Sequence, residues 1–549
     1  GTGSLTKAGA GTLILSSTNT HSGGTTIQAG AISVDAIDKL GTGTTTLDGG
    51  TLSLTKLTGT ETASNLALGT GGGTLNVVNA DTSLDVTSGL SGVGSFTKSG
   101  SGTLILSGTN THTGGTSVQA GRLKGDTDSI QGNVNIAAAA ELELDQSNNG
   151  VFAGDISGAG QLIKSGISTI SLTGTNTYAG GTTINAGLLS ISDMAQLGTG
   201  EILLNGGTFR TTGDSDLTTD KFDLEAAGGE LDVSSRSFTL TGDVSTTSDL
   251  RKTGTGALIL DAASNTISGG TSVKSGSLII GSTSGMSAVK LISDVAVESS
   301  AVLGGHGKII GNVTNNGGRI APGNSTGKME ITGDYSGTGT LEIEVEGDTK
   351  FFDQLVVNGK VDVSGTDLDL VLTPADKADW DVDPTGPFII VDNNGEDEIT
   401  GEFASVSDNL LFIDTALDYA AGEELKDIEL TLTRNDIDFA SSARTVNQKA
   451  TGSAVQNLGS GNAVYNALIA TVSDEAMAQT AFDSLSGEIN ASARGVLIEN
   501  SRFVRSAVNE RLYASSSKTQ KPSGAQTSQR GSLTLWNTTS GSWGKAESN

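Results

Sequence analysis

Apolar and polar residues alternate in short bursts as far as Arg434, and one such burst is written four times. The copies begin at Leu5 (LTKAGAGTLILSSTNTHSGGTTIQAG), Phe96 (FTKSGSGTLILSGTNTHTGGTSVQAG), Leu162 (LIKSGISTISLTGTNTYAGGTTINAG) and Leu250 (LRKTGTGALILDAASNTISGGTSVKSG). Aligned on Lys7, Lys98, Lys164 and Lys252, each holds a burst whose outer positions are always aliphatic. These are Leu13 and Leu15, Leu104 and Leu106, Ile170 and Leu172, Leu258 and Leu260. The position between them is Ile14, Ile105, Ser171 or Ile259. A serine there means that the middle side chain needs no burial. The period is therefore two, and the element is a strand with one buried face.

A second strand carries Ile27, Val118, Ile184 and Val273, followed two residues later by Ala29, Ala120, Ala186 and Ser275. Small residues at those positions suggest a tight interior. A glycine follows each (Gly30, Gly121, Gly187, Gly276), supplying the positive-φ turns that bend a chain between short strands. Short strands, one buried face and regular corners predict an all-β fold, a right-handed parallel β-helix in which each coil lays its strands on those of the coil before. The copies start 91, 66 and 88 residues apart. At roughly 22 residues per coil these are near whole numbers of coils, as a solenoid requires.

Past Arg434 the period changes to three or four. Phe482, Leu485, Ile489, Val496, Phe503 and Leu512 form one apolar stripe, with Asp474 as its N-cap, which predicts helix.

Composition sharpens this picture. A chain of 549 residues exceeds one globular core and grows instead by stacking repeats. Its 78 glycines show no three-residue period, which excludes collagen, and its 5 prolines suit unbroken ladders. A net charge of −29 repels phosphate backbones, so nucleic acid is no partner. The absence of cysteine excludes disulfides, thiolate zinc sites and thiol catalysis. No run of 18 apolar residues predicts a membrane helix, and the start, inside or just before a repeat, reads as a fragment of a longer precursor.

The candidate chemistry is thin. His21 and His112 share a repeat position with Tyr178 and Ile267, and a position that accepts all three is neither a metal nor a catalytic post. Asn19, Asn110, Asn176 and Asn265 are steadier, and the expected role is satisfying the backbone of their own turn. GNSTG at Gly323–Gly327 matches a nucleophile elbow around Ser325, but His21, His112 and His306 all precede it, where that fold needs a later histidine. Glu342, Glu344 and Glu346 fall on one outward face, and the expectation is a solvated edge. No catalytic, cofactor-binding or metal residue is assigned, and no cofactor is expected.

The four copies resemble the passenger-associated strand repeats of type V autotransporters, which are secreted proteins of Gram-negative bacteria. NNGGRIAPGNSTGKMEITGDYSGTGTLEIEVEG and FDQLVVNGKVDVSGTDLDLVL are similar to the last coils of a pertactin-like passenger. That resemblance makes Ala321–Ser325 a structural turn and Asp353-Gln354-Leu355 the start of a strand. FDSLSGEINASARGVLIENSRFVRSAVNERL resembles the linker helix leading into the translocator, and LWNTTSGSWG resembles a first barrel strand with Trp536 and Trp543 as interface aromatics.

The divisions implied are a β-helix passenger over 1–311, pertactin-like, autochaperone-type coils over 312–435, a helical linker over 436–530 and a truncated barrel start over 531–549. The implied function is a non-catalytic, surface-displayed or secreted passenger stalk for adhesion, aggregation or presentation of an upstream domain, folding directionally on export. The alternative is the stalk of an autotransporter enzyme (protease, esterase or carbohydrate-active) whose catalytic domain lies ahead of Gly1. The implied partners are the chain's own outer-membrane barrel, the outer-membrane assembly machinery, and a host cell or a second copy. The implied location is the cell surface or outer membrane, or secretion after cleavage.

Overall fold

The computed structural model describes residues 1–56, 59–282, 288–323, 325–346, 352–373, 385–422 and 426–487, with residues 494, 498, 501, 502 and 505 and the strands Gln526–Arg530 and Leu533–Asn537. Up to residue 408 the paired strands run parallel, each against a strand one coil away. Leu5 stands opposite Thr25, Phe96 opposite Thr116 and Leu162 opposite Thr182, so a repeat coil takes 20 residues. The result is a β-solenoid.

Its coils define three faces. The first begins as a 5-stranded sheet from Leu5–Lys7 to Ser91–Gly92 and resumes as an 11-stranded sheet from Gly150–Phe152 onward. Irregular layers fill the gap, where the amides of Thr111 and Thr113 bond the carbonyls of Leu90 and Gly92. The second runs from Thr12–Ile14 to Ile156–Gly158 and, after the layers at Asn176 and Met194–Gln196, resumes at Asp216–Thr219. The third runs from Thr60–Ala63 to Phe222–Leu224 and resumes at Ser245–Thr246.

Aliphatic columns fill the interior. Leu104 pairs with Leu123, that with Leu142 and that with Leu162, and all four are fully buried. Burying one such side chain is worth roughly 1.5–3 kcal/mol. The middle residue of the repeat burst faces out, as expected: Ile14 is 72% exposed, and Ile105, Ser171 and Ile259 are half-buried. Corners are tied by carboxylate and amide oxygens that accept an amide one coil on. Asp294 accepts from Asn312, Asn312 from Asp334 and Asp334 from Lys360.

The far end is closed by antiparallel pairing. Asp427–Arg434 lies between Thr385–Asn393 and Ile413–Ala421. Against this hairpin Phe412, Phe439 and Tyr465 stack edge to face at 4.7 and 5.2 Å, with the Arg434 guanidinium about 5 Å from the first two rings. Helices α1 (Val446–Gln456), α2 (Ala463–Thr471) and α3 (Glu475–Ser486) follow within the described residues. Gly459 and Gly461, both at positive φ, separate the first two. Asp474 caps α3 through the Met477 amide at 2.7 Å, as the sequence implies. The expected stripe is only partly met, because Phe482 is buried while Leu485 is 46% exposed. Ile489, Val496, Phe503, Leu512 and Trp543 lie outside the described residues. Gln526–Arg530 and Leu533–Asn537 form one antiparallel ribbon with Trp536 opposite Thr527, which does not identify a barrel strand.

Candidate functional site

The residue shared by all four copies that carries a charge is the lysine, and it points inward. It follows an inward apolar residue by two positions (Leu5, Phe96, Leu162, Leu250), which puts it on the same side of the strand. Lys98, Lys164 and Lys252 are at most 1% exposed and Lys7 is 8% exposed. A buried ammonium is costly unless fully hydrogen-bonded. Each Nζ donates to three carbonyl oxygens. For Lys98 these are Ser99, Gly100 and Ala120, at 2.8, 2.7 and 3.0 Å. The sets for the other copies are Ala8, Gly9 and Ala29; Ser165, Gly166 and Ala186; and Thr253, Gly254 and Ser275. Burial pushes Lys98, Lys164 and Lys252 down to about 8.

The cage requires two stacked glycine corners. Gly100 sits at φ +76 and Gly121 at φ +64, and a Cβ on Gly121 would come within 2.6 Å of the carbonyl oxygens of Gly100 and Gly102. Ala29, Ala120, Ala186 and Ser275, expected in a tight interior, stand instead at this half-buried corner, where their carbonyls receive the ammonium. Sequence reasoning used the lysines only to align the copies. The missed signal is a lysine in phase with a buried face and two residues ahead of a glycine.

The asparagines also do something other than expected. Asn110 Oδ1 accepts the Leu90 amide of the coil before, and its Nδ2 donates to the Ser129 carbonyl of the coil after. Asn176 joins Ile156 to Gln196 in the same way, and Asn265 joins Val244 to Lys290. Bonds within their own turn exist at Asn19 and Asn265 but are secondary to this bridging. Four residues before an inward threonine, His21 and His112 bond Thr25 and Thr116 at 2.9 and 3.0 Å, and Tyr178 bonds Thr182. Where the fourth copy has Ile267, Thr271 pairs with Ser293 instead.

Ser325 lies at an exposed corner at φ +116. Both oxygens of buried Asp353 are taken by backbone amides, Gly327 at 2.8 Å and Glu344 at 2.9 Å, which fastens the turn to the strand Thr340–Glu346. Burial nevertheless pushes the Asp353 carboxyl up to about 8. His306 is buried against Gly327, where a Cβ would meet its ring at 2.2 Å. Of the three outward glutamates, Glu342 holds the Arg319 guanidinium at 2.5 Å and Glu344 accepts from Thr373, so the edge is bonded across coils and not merely solvated.

The copies do not stack in phase. Lys7 lies on the first face, Lys98 on the second, Lys164 on the third and Lys252 on the first again. Each step is a whole number of coils plus one third, which corrects the expectation of whole coils.

Residues 5–34, 96–124, 162–191 and 250–280 match the passenger-associated-transport-repeat. The chain is 33% identical over 410 aligned residues to the adhesin BmaC autotransporter of Brucella suis biovar 1 (strain 1330). The chain carries the repeats of autotransporter passengers. That alignment takes in 61% of this passenger and 12% of the adhesin. The passenger is also 26% identical over 356 residues to an extracellular serine protease of Serratia marcescens, covering 56% of the passenger and 32% of the protease. It therefore spans a minor part of either relative's length. The repeat and both relatives support a location at the cell surface, in the outer membrane or outside the cell.

Proposed function

We propose that this passenger is a non-catalytic stalk that carries or forms an adhesive surface. What supports the reading is how the recurring polar groups are used. The lysine and asparagine of each copy, and the histidine or tyrosine of the first three, are turned to backbone or neighbouring threonine, so the repeated letters serve coil stacking and leave specificity to the residues between copies. The resemblance to an adhesin runs in the same direction. The chain's own outer-membrane barrel is the proposed export partner, with the outer-membrane assembly machinery behind it, and a host-cell surface or a second copy is the proposed ligand. The experiment is display of the complete precursor on a non-adherent bacterium. Adhesion to host cells or autoaggregation that is lost on removing residues 1–311 supports the reading; undiminished adhesion without them refutes it.

A second reading, the stalk of a secreted protease, rests on the resemblance to the Serratia enzyme. Proteolysis by the complete precursor, abolished by a serine-directed inhibitor, would favour it.

A further inference from the structure

In each copy the ammonium takes two carbonyls from its own corner and the third from the corner one coil later. Above it in the same inward column stand aliphatic side chains. Lys98 is followed by Val118 and Ile136, Lys164 by Ile184 and Leu204, and Lys252 by Val273 and Val297. Below it the column is aliphatic too, with Leu75 under Lys98, Leu144 under Lys164 and Leu231 under Lys252, so the ammonium is a directional contact inside a column of non-directional ones.

We propose that the repeats are latches dividing the rod into blocks that open and close as units, with the caged lysine holding each boundary. Aliphatic layers grip without directionality, so a coil held by them alone leaves one layer at a time from an exposed end. A caged ammonium stops that retreat. Peeling away the following coil strips its third acceptor and leaves the cation at the end of an apolar column, so that step is steeper than the one before it. The asparagine of the same copy reinforces the boundary, because it bonds the coils on both sides of its own. Because successive latches fall on successive faces, separation that starts along one face meets the next latch on another.

The test is native-state hydrogen exchange on the whole chain in low denaturant, comparing wild type, Lys164→Met and Lys221→Met. Lys221 is an exposed lysine that reaches a single carbonyl, Thr199, across coils. Wild-type amides between two latches are expected to exchange at a shared rate. In Lys164→Met the blocks on either side of the third copy merge and exchange at least tenfold faster, with the change ending at Lys98 and Lys252, while Lys221→Met leaves the boundaries in place. A uniform acceleration along the rod, or unchanged boundaries, overturns the proposal. If Lys164→Met does not fold, mechanical unfolding of wild type decides the matter. Steps matching the 91-, 66- and 88-residue latch spacings support the proposal, and smooth coil-by-coil extension overturns it.

Discussion

The Nζ of Lys98 lies 3.0 Å from the carbonyl oxygen of Ala120, at the corner one coil further along the rod. Lys98→Met keeps the stem and removes the donors, leaving the three half-buried carbonyls of the cage without their partner. The expected loss is roughly 1–3 kcal/mol, read as a lower urea midpoint. Lys221→Met, on the surface, stays within about 0.5 kcal/mol. Equal midpoints for the two variants would show that the cage holds nothing.

Gly121 turns the second corner of that cage at φ +64, with carbonyl oxygens crowding the place of its missing Cβ. Gly121→Ala is expected to lower thermal stability well beyond the ~1 kcal/mol of ordinary glycine replacements. Gly11, which has open space around it and no positive φ, accepts alanine with little change. A benign Gly121→Ala would place the glycine requirement elsewhere.

Asn110 holds the coil before and the coil after. Asn110→Ala leaves a buried amide and a buried carbonyl unpaired, at a cost of roughly 1–3 kcal/mol for each such group. Limited proteolysis checks the location, since new cleavage is expected around residues 88–92 and 127–131. Cleavage confined to other coils would count against a bridging role.

His112 stands where the third copy has Tyr178, and burial holds its imidazole below the ordinary value of 6.5. The folded chain keeps it neutral while the unfolded chain takes up a proton below that value. The unfolded state then binds more protons, so stability falls as the pH drops through about 6.5. His112→Tyr is expected to keep the bond to Thr116 and to lessen the difference in urea midpoint between neutral and mildly acidic buffer. An undiminished difference would assign the acid sensitivity to other groups.

Leu104 and Ile105 face opposite ways on one strand. Leu104→Ala is expected to cost about 2–5 kcal/mol, whereas Ile105→Ser copies what Ser171 already does and costs little. Comparable losses in calorimetry would contradict the alternation.

That alternation was fully legible, because a period of two survives every change of residue at Ile14, Ile105, Ser171 and Ile259. The lysine cage was not, although its signal was present. A charged residue is ordinarily solvated, so Lys98 reads as a surface mark unless its phase with Phe96 outweighs its charge. Only the converging carbonyls of Gly100 and Ala120 make that burial tolerable, and carbonyl directions are not written in side chains. The bridging by Asn110 was hidden for the same reason, since both partners are backbone groups about twenty residues away. The one-third phase could not be counted from spacing, because coils between copies differ in length. Phe96 meets Gly73 across 23 residues but Thr116 across 20. Leu485 was misjudged because a helical stripe names a face without saying where its burial ends.

The rotation of the copies also bears on how such a rod changes over generations. Near-identical stretches invite recombination that drops or adds a unit. Losing the stretch from one copy to the next would shorten the shaft and also swing everything beyond the junction through a third of a revolution about the long axis. Three such events would bring the tip back to its original bearing at a reduced height, so unit number sets the compass direction of the outermost coils as well as their reach.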